Sequence, residues 1–182
     1  LILDRNGEMT GATDLGRLEF QAKGTTCAAI RCANVDSTTE SEAIMKFYTT
    51  AHGGSLTQQM TIDRDGNVGI GTDVPSNLLH IEWSDDQNPG TGKGLLFTNS
   101  EGSIADGQLL GTIGFDSTDG NVPSDNLHAS AFIAAYAAET HGVSDKGGDL
   151  AFGTAPINQD DDTASTERMR ILSSGNVGIG TT

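Results

Sequence analysis

GNVGIGT, residues 66–72, returns letter for letter at 175–181. A glycine-rich heptapeptide used twice is either a loop that cradles phosphate or a turn and strand that recur. The phosphate reading fails on order. A dinucleotide fingerprint runs G-x-G-x-x-G after a strand and opens a helix. Here the order is G-x-x-G-x-G, and the segment after the first copy, DVPSN, carries a proline where a helix should begin. The turn reading fits both copies. Asp65-Gly66 stands between two strand-like runs, and glycine tolerates the positive φ that a hairpin turn needs. The second copy has Ser174-Gly175, so glycine is the fixed requirement and the acid is not. Gly66 and Gly175 are therefore the expected turn glycines. After the turn the residues alternate, placing Val68 and Ile70 on one face and Asn67, Gly69 and Gly71 on the other. Val177 and Ile179 repeat the apolar pair. Two medium apolar side chains are too little for a core of their own, so these four residues are expected to form a core shared between chains. A bare glycine face would let a neighbouring backbone approach closely.

The identity spreads outward from the heptapeptide. MTIDRDGNVGIGT (60–72) and MRILSSGNVGIGT (169–181) agree at nine of thirteen positions. LGRLEF (15–20) parallels LGTIGF (110–115), AIRCANVD (29–36) parallels FIAAYAAE (132–139), and MKFYTT (45–50) parallels LAFGTA (150–155). LILDRNGE at the start parallels LLFTNSEG, with Asn6-Gly7 as a further turn. The order is the same in both halves, which is the signature of an internal repeat. Residues 1–82 read as one module and 94–182 as a second without its final piece, which in the first copy is DVPSNLLHIE. Residues 83–93, rich in turn formers, read as a linker. The second copy carries extra residues near 117–127 and 156–166.

The elements are expected to be strands. RLEF, IMKFYT and LTQQMTID alternate or nearly alternate apolar and polar residues. HASAFIAAYAAETH (128–141) is alanine-rich and would favour helix on propensity alone. Its counterpart AAIRCANVD has β-branched residues and no helical stripe, so both read as strand.

Composition points the same way. Aromatic residues are 5% and hydrophobic residues 35% of the 182, while glycine contributes 24. Large core-formers are scarce, and thin modules sharing a core suit that better than one thick domain. The formal net charge of −15 would repel nucleic acid and anionic membranes. No apolar run approaches the ~18 residues of a membrane-spanning helix. Leu1 lies inside an apolar run and Thr182 follows the second motif directly, so both ends read as cuts in a longer polypeptide.

Other constellations are weaker. DRDGN (63–67) resembles half a calcium loop, but Gly66 comes too early for an EF-hand, and Leu172 and Ser174 replace the acids in the second copy. NPGTGKG has Gln87 where a phosphate loop needs its first glycine. Asp160, Asp161 and Asp162 form the densest acid cluster and read as a solvated outward loop that could meet a cation. His52, His80, His128 and His141 make no metal-binding spacing. Cys27 and Cys32, on opposite faces of one strand, cannot bridge each other; they align with Ala129 and Ala134, so small fillers suffice there. No catalytic residues, no metal site and no cofactor are expected.

ERMRILSSGNVGIGTT (167–182), with DVPSNLLHIE after the first copy, resembles a module that recurs in phage tail-fibre and related receptor-binding proteins. The A-I-x-A-like and L-x-F-x-T strands upstream fit the same pattern. LTQQMTI departs from the usual E-R-M-R-I-like run. The resemblance implies an all-β, elongated, intertwined homotrimeric fibre on a virion, outside the cell, structural rather than enzymatic, which supports host attachment. Its implied partners are other virion proteins and a host surface glycan. Alternatives are a head or capsid fibre, a fibrous bacterial adhesin, a polysaccharide depolymerase using paired carboxylates, and a glycan-binding module.

Overall fold

The structure, a computed structural model, describes residues 14–34, 43–83, 94–117, 123–160 and 163–180. The chain divides into two compact units, Leu1–Gly94 and Leu95–Thr182. Every regular element among the described residues is a strand. The Asn6-Gly7 turn, almost all of the linker, and Asp161 and Asp162 lie outside the described residues.

In the first unit β1 (Asp14–Ala22), β2 (Thr25–Asn34), β3 (Ala43–Thr50), β4 (Leu56–Ile62), β5 (Val68–Ile70) and β6 (Leu79–Ile81) form a six-stranded sheet in chain order. All neighbours are antiparallel except β5 and β6, which are parallel. In the second unit β7 (Leu109–Phe115), β8 (Ala131–Ala137), β9 (Gly148–Thr154), β10 (Thr166–Ile171) and β11 (Val177–Ile179) form a five-stranded sheet, again in chain order and wholly antiparallel.

Consecutive side chains of a strand point to opposite faces, and paired residues of neighbouring strands share a face. The register therefore assigns each face. In the first sheet Leu18, Ile30, Phe47, Met60, Ile70 and Ile81 stand opposite one another across all six strands. A second row on that face runs Gly16, Cys32, Met45, Ile62, Val68 and Leu79. The second sheet carries Ile113, Ile133, Phe152, Met169 and Ile179, and beside them Gly111, Ala135, Leu150, Ile171 and Val177. Ala135, not Ala134, is thus the counterpart of Cys32, in step with the pairing of AIRCANVD with FIAAYAAE. The filler is an alanine either way.

What one chain buries lies mainly on the other face. Thr61 is 0% exposed in the first sheet, and Ala29 and Gly69 beside it are buried. Gln58 donates from Nε2 to the Thr61 hydroxyl at 2.6 Å, which satisfies that buried group. In the second sheet Phe132, Ala134 and Ala151 are buried. The Phe132 ring lies on Gly153, where any Cβ would collide with it. This explains why an alanine-rich tract forms β8. Alanine favours helix in isolation, but a closely covered sheet face needs small side chains, and tertiary packing overrides propensity.

Candidate assembly faces and loops

Both copies of the heptapeptide form the same hairpin. In the first, the Asp63 amide donates to the Asn67 carbonyl at 2.9 Å and the Gly66 amide to the Asp63 carbonyl at 3.1 Å. In the second, the Leu172 amide donates to the Asn176 carbonyl at 2.9 Å and the Gly175 amide to the Leu172 carbonyl at 2.8 Å. Gly66 and Gly175 have φ of 84° and 86°. Each closes a three-residue loop, a tight turn followed by a left-handed residue, a geometry glycine adopts without a Cβ penalty.

The two turns differ in chemistry. Asp63 accepts from the amides of Asp65 at 2.9 Å and Asn67 at 2.8 Å, and from the Asn67 side chain at 3.0 Å. Desolvation raises the Asp63 pKa, but the hydrogen bonds from Asn67, Asp65 and Gly66 together outweigh it and hold the carboxyl below its ordinary 3.8. Leu172 offers no such acceptor, and in that turn the Asn176 amide meets the Ser174 hydroxyl at 3.5 Å.

Val68, Ile70, Val177 and Ile179 all lie on the large-residue face. Ile70 is 43% exposed, Val177 54% and Ile179 76%. The face is far wider than the two residues per copy that the heptapeptide suggests. Leu18, Phe20 and Met45 are also exposed on it in the first unit, and Ile113, Phe115 and Leu150 in the second. A narrow apolar stripe is therefore the wrong picture: the face is apolar from one edge of each sheet to the other. Alternation within RLEF, MKF and MTI carried that signal; only the strand order joins the pieces. In the second unit Phe97 packs on this face over Gly111, where an added Cβ would come within 2.8 Å of the Phe97 Cβ. Together with Leu110, Ile113, Ile133 and Leu150 it borders a cavity of about 230 Å³.

The glycine face of the first heptapeptide is covered by the chain itself. A Cβ on Gly69 would approach the Thr72 carbonyl oxygen to 2.6 Å and the buried Pro75 ring to 3.5 Å. One on Gly71 would collide with the Glu82 carbonyl. The close backbone approach is real there, and the neighbouring backbone is the chain's own continuation.

The opposite faces hold the charged groups. Arg170 meets Glu167 at 2.8 and 2.6 Å and Asp149 at 3.2 Å, and lies 4.9 Å from the Tyr136 ring centre. The Glu167 hydrogen bonds and then those of Asp149 hold the guanidinium pKa above its ordinary value despite burial. Both carboxylates are thereby engaged by one cation. In the first unit Arg31 stacks on Tyr48, 4.5 Å from the ring centre.

Among the described residues, Ser117 from one extra loop and Gln159 and Asp160 from the other border a polar recess of about 300 Å³ together with Asp116, His128 and Ser130. Ser130 donates to Asp116 at 2.7 Å, which lowers the Asp116 pKa. His128 lies 2.8 Å from Asp125, and that contact lowers the Asp125 pKa. Asp160 is exposed. Among the described residues no group of three or more His, Cys, Asp and Glu side chains could hold a metal ion, and no helix is long and apolar enough to cross a membrane.

No protein-family model matches the chain, and no curated protein does. Among solved structures it is similar to the carboxy-terminal domain of the bacteriophage T5 L-shaped tail fibre, at 12% identity and a TM-score of 0.37, over 97% of this chain and 82% of that one. The same identity and TM-score hold against that domain with its intramolecular chaperone domain, of which the chain spans 57%.

Proposed function

We propose that the chain is a structural segment of a homotrimeric virion fibre, a phage tail fibre, with residues 1–82 and 94–182 as successive modules joined by a linker. One observation carries this. Each sheet leaves most of its large apolar side chains on an open face, while those that a single chain buries on the other face are mainly small, Phe132 apart. An apolar face of that extent marks an association surface, and copies of the same chain offer matching rows. The resemblance of the GNVGIGT module to fibre repeats supports three copies, with other virion proteins and a host surface glycan as outer partners and the virion, outside the cell, as location. In this reading the segment does mechanical rather than chemical work.

Sedimentation of the 182-residue chain tests the proposal. The expected species is a trimer, more elongated than a sphere of its mass. A stable monomer with the apolar faces still open would overturn it.

A further inference from the structure

Three basic residues of the first unit stand in register on the face opposite the large-residue rows. Arg17 of β1 pairs with Arg31 of β2, and Arg31 with Lys46 of β3. The three span two strand spacings, roughly 10 Å. Directly opposed like charges destabilise a sheet. At this end the face is not closed: Arg17 is exposed, and Arg31 and Lys46 are half-buried.

Counter-charge is scarce around them. Glu19 meets the Arg17 Nε at 3.3 Å with one oxygen. Its other oxygen accepts from Gln21 at 3.1 Å and from Thr26 at 3.2 Å. Among the described residues no carboxylate pairs with Arg31 or Lys46. Arg31 lies on Tyr48 instead, and its Nε is buried without a hydrogen-bond partner among the described residues.

The second unit shows what the fold itself asks for at these positions. There the same row reads Thr112, Ala134 and Ala151 across β7, β8 and β9. Arg170, next in that row on β10, is engaged by two carboxylates of its own unit, Glu167 and Asp149. Small neutral residues therefore satisfy the strand pairing, and the cation placed beside them has its acids. The row of Arg17, Arg31 and Lys46 is neither needed for the pairing nor neutralised by the described residues.

We propose that these three side chains form a binding site for the carboxylate of an acidic sugar. The formal net charge of −15 sets the class. The chain as a whole repels a polyanion, whereas a single carboxylate on a neutral body meets the local excess of cations. Guanidinium forks fit a planar carboxylate, and Lys46 adds a point charge. Gln21, Thr26 and Tyr48, on the Glu19 side of the row, are neutral polar groups suited to sugar hydroxyls. The inference rests on the fibre reading, which brings the segment to a host surface glycan, and it names the class of that glycan.

The test titrates the full 182-residue chain with methyl glucuronide and with methyl glucoside, which has a hydroxymethyl group in place of the carboxylate. Amide resonances report the site. Saturable binding of one glucuronide per chain is expected, with shifts centred on residues 17, 31 and 46 and weakened by salt. The glucoside should bind roughly tenfold more weakly or worse, a loss of about 1.4 kcal/mol or more. Replacing the row by the second copy's own residues, Arg17→Thr, Arg31→Ala and Lys46→Ala together, should abolish binding. The thermal midpoint should hold or rise, because opposed like charges are removed. Lys146→Gln, at an exposed cation of the second unit, should leave binding unchanged. The glucoside comparison leaves the protein untouched, so a folding defect in the variant cannot decide the result. Equal binding of the two sugars, inorganic sulfate binding as tightly as the glucuronide, no saturable binding, or a lower midpoint in the triple variant would overturn the site. So would binding gained only after Asp36, Glu40 and Glu42 are changed to amides, since the counter-charge would then lie within the chain. Sedimentation of the same samples keeps the two readings apart. A trimer that binds no glucuronide overturns the site and leaves the fibre; a monomer that binds it does the reverse.

Discussion

On β9, Ala151 and Leu150 are neighbours in sequence and opposites in fate. Ala151 points to the closed face and is 0% exposed, while Leu150 points to the apolar rows and stays accessible. The same division runs through both sheets, with Ala29 and Thr61 buried while Leu18 and Met45 are open. Ordinary globular packing puts the large side chains inside, because burial stabilises in proportion to apolar area. Here a single chain buries mainly small groups, Phe132 apart, and leaves many large apolar side chains accessible. The closed face belongs to the fold of one chain. The open face is the one proposed for association.

That contrast can be broken from either side. The largest effect should come from charging the open face. Val177→Asp with Ile179→Asp removes two medium apolar side chains, roughly 3–6 kcal/mol per copy at ~1.5–3 each, and sets carboxylates facing one another across the assembly. Sedimentation should show assembly abolished; trimers of normal stability would mean that the face is not an interface. Overfilling the closed face should do less and act elsewhere. Ala151→Leu should cost about 1–3 kcal/mol in the fold of its own unit, seen as a lower thermal midpoint with stoichiometry unchanged. A neutral result would show that face to be loosely packed.

The smallest effect separates the two turns. The Asp63 pKa is depressed in the folded chain, so its contribution is present above the unfolded value, near 3.8, and is lost as pH falls through the lower folded value. The Asp65 and Asn67 amide resonances should therefore shift in acid below about 3.8, and those of Ser174 and Asn176, beside Leu172, should not. Equal shifts in both turns would remove the role given to Asp63.

The all-β class was legible because alternation in RLEF, MKFYTT and LTQQMTI is local, and because the counterpart of the alanine tract could not be helical. The positive φ at Gly66 and Gly175 was legible for the same reason, since an Asp-Gly or Ser-Gly pair between strands states its own turn. Which face would be covered was not legible. That depends on register, and each sheet contains bulges that no local pattern announces. The full rows through Ile30, Phe47 and Met60 stayed hidden, although each residue was visible in its own strand. So did the cover on Gly69, because it comes from Thr72 and Pro75, residues that read only as a turn.

Those bulges carry a consequence for how such a chain can change. Between the third and fourth strands of each sheet one residue is skipped, Gln59 in one and Arg168 in the other. The carbonyl of each accepts the amide of Gly71 or Gly180. A strand with period two has a reading frame, and a single deletion inverts every side chain beyond it. The skipped residue is the one place where the strand can change length without that inversion. Removing Gln59 would leave Met60 opposite Phe47 and Gln58 opposite Tyr48, so both keep their faces and the ladder becomes regular. Substitutions at Gln59 and Arg168 are cheap, as glutamine and arginine at the same place attest, and a deletion there costs only the bulge and the carbonyl that holds Gly71 or Gly180, whereas a deletion elsewhere in the strand inverts the side chains beyond it.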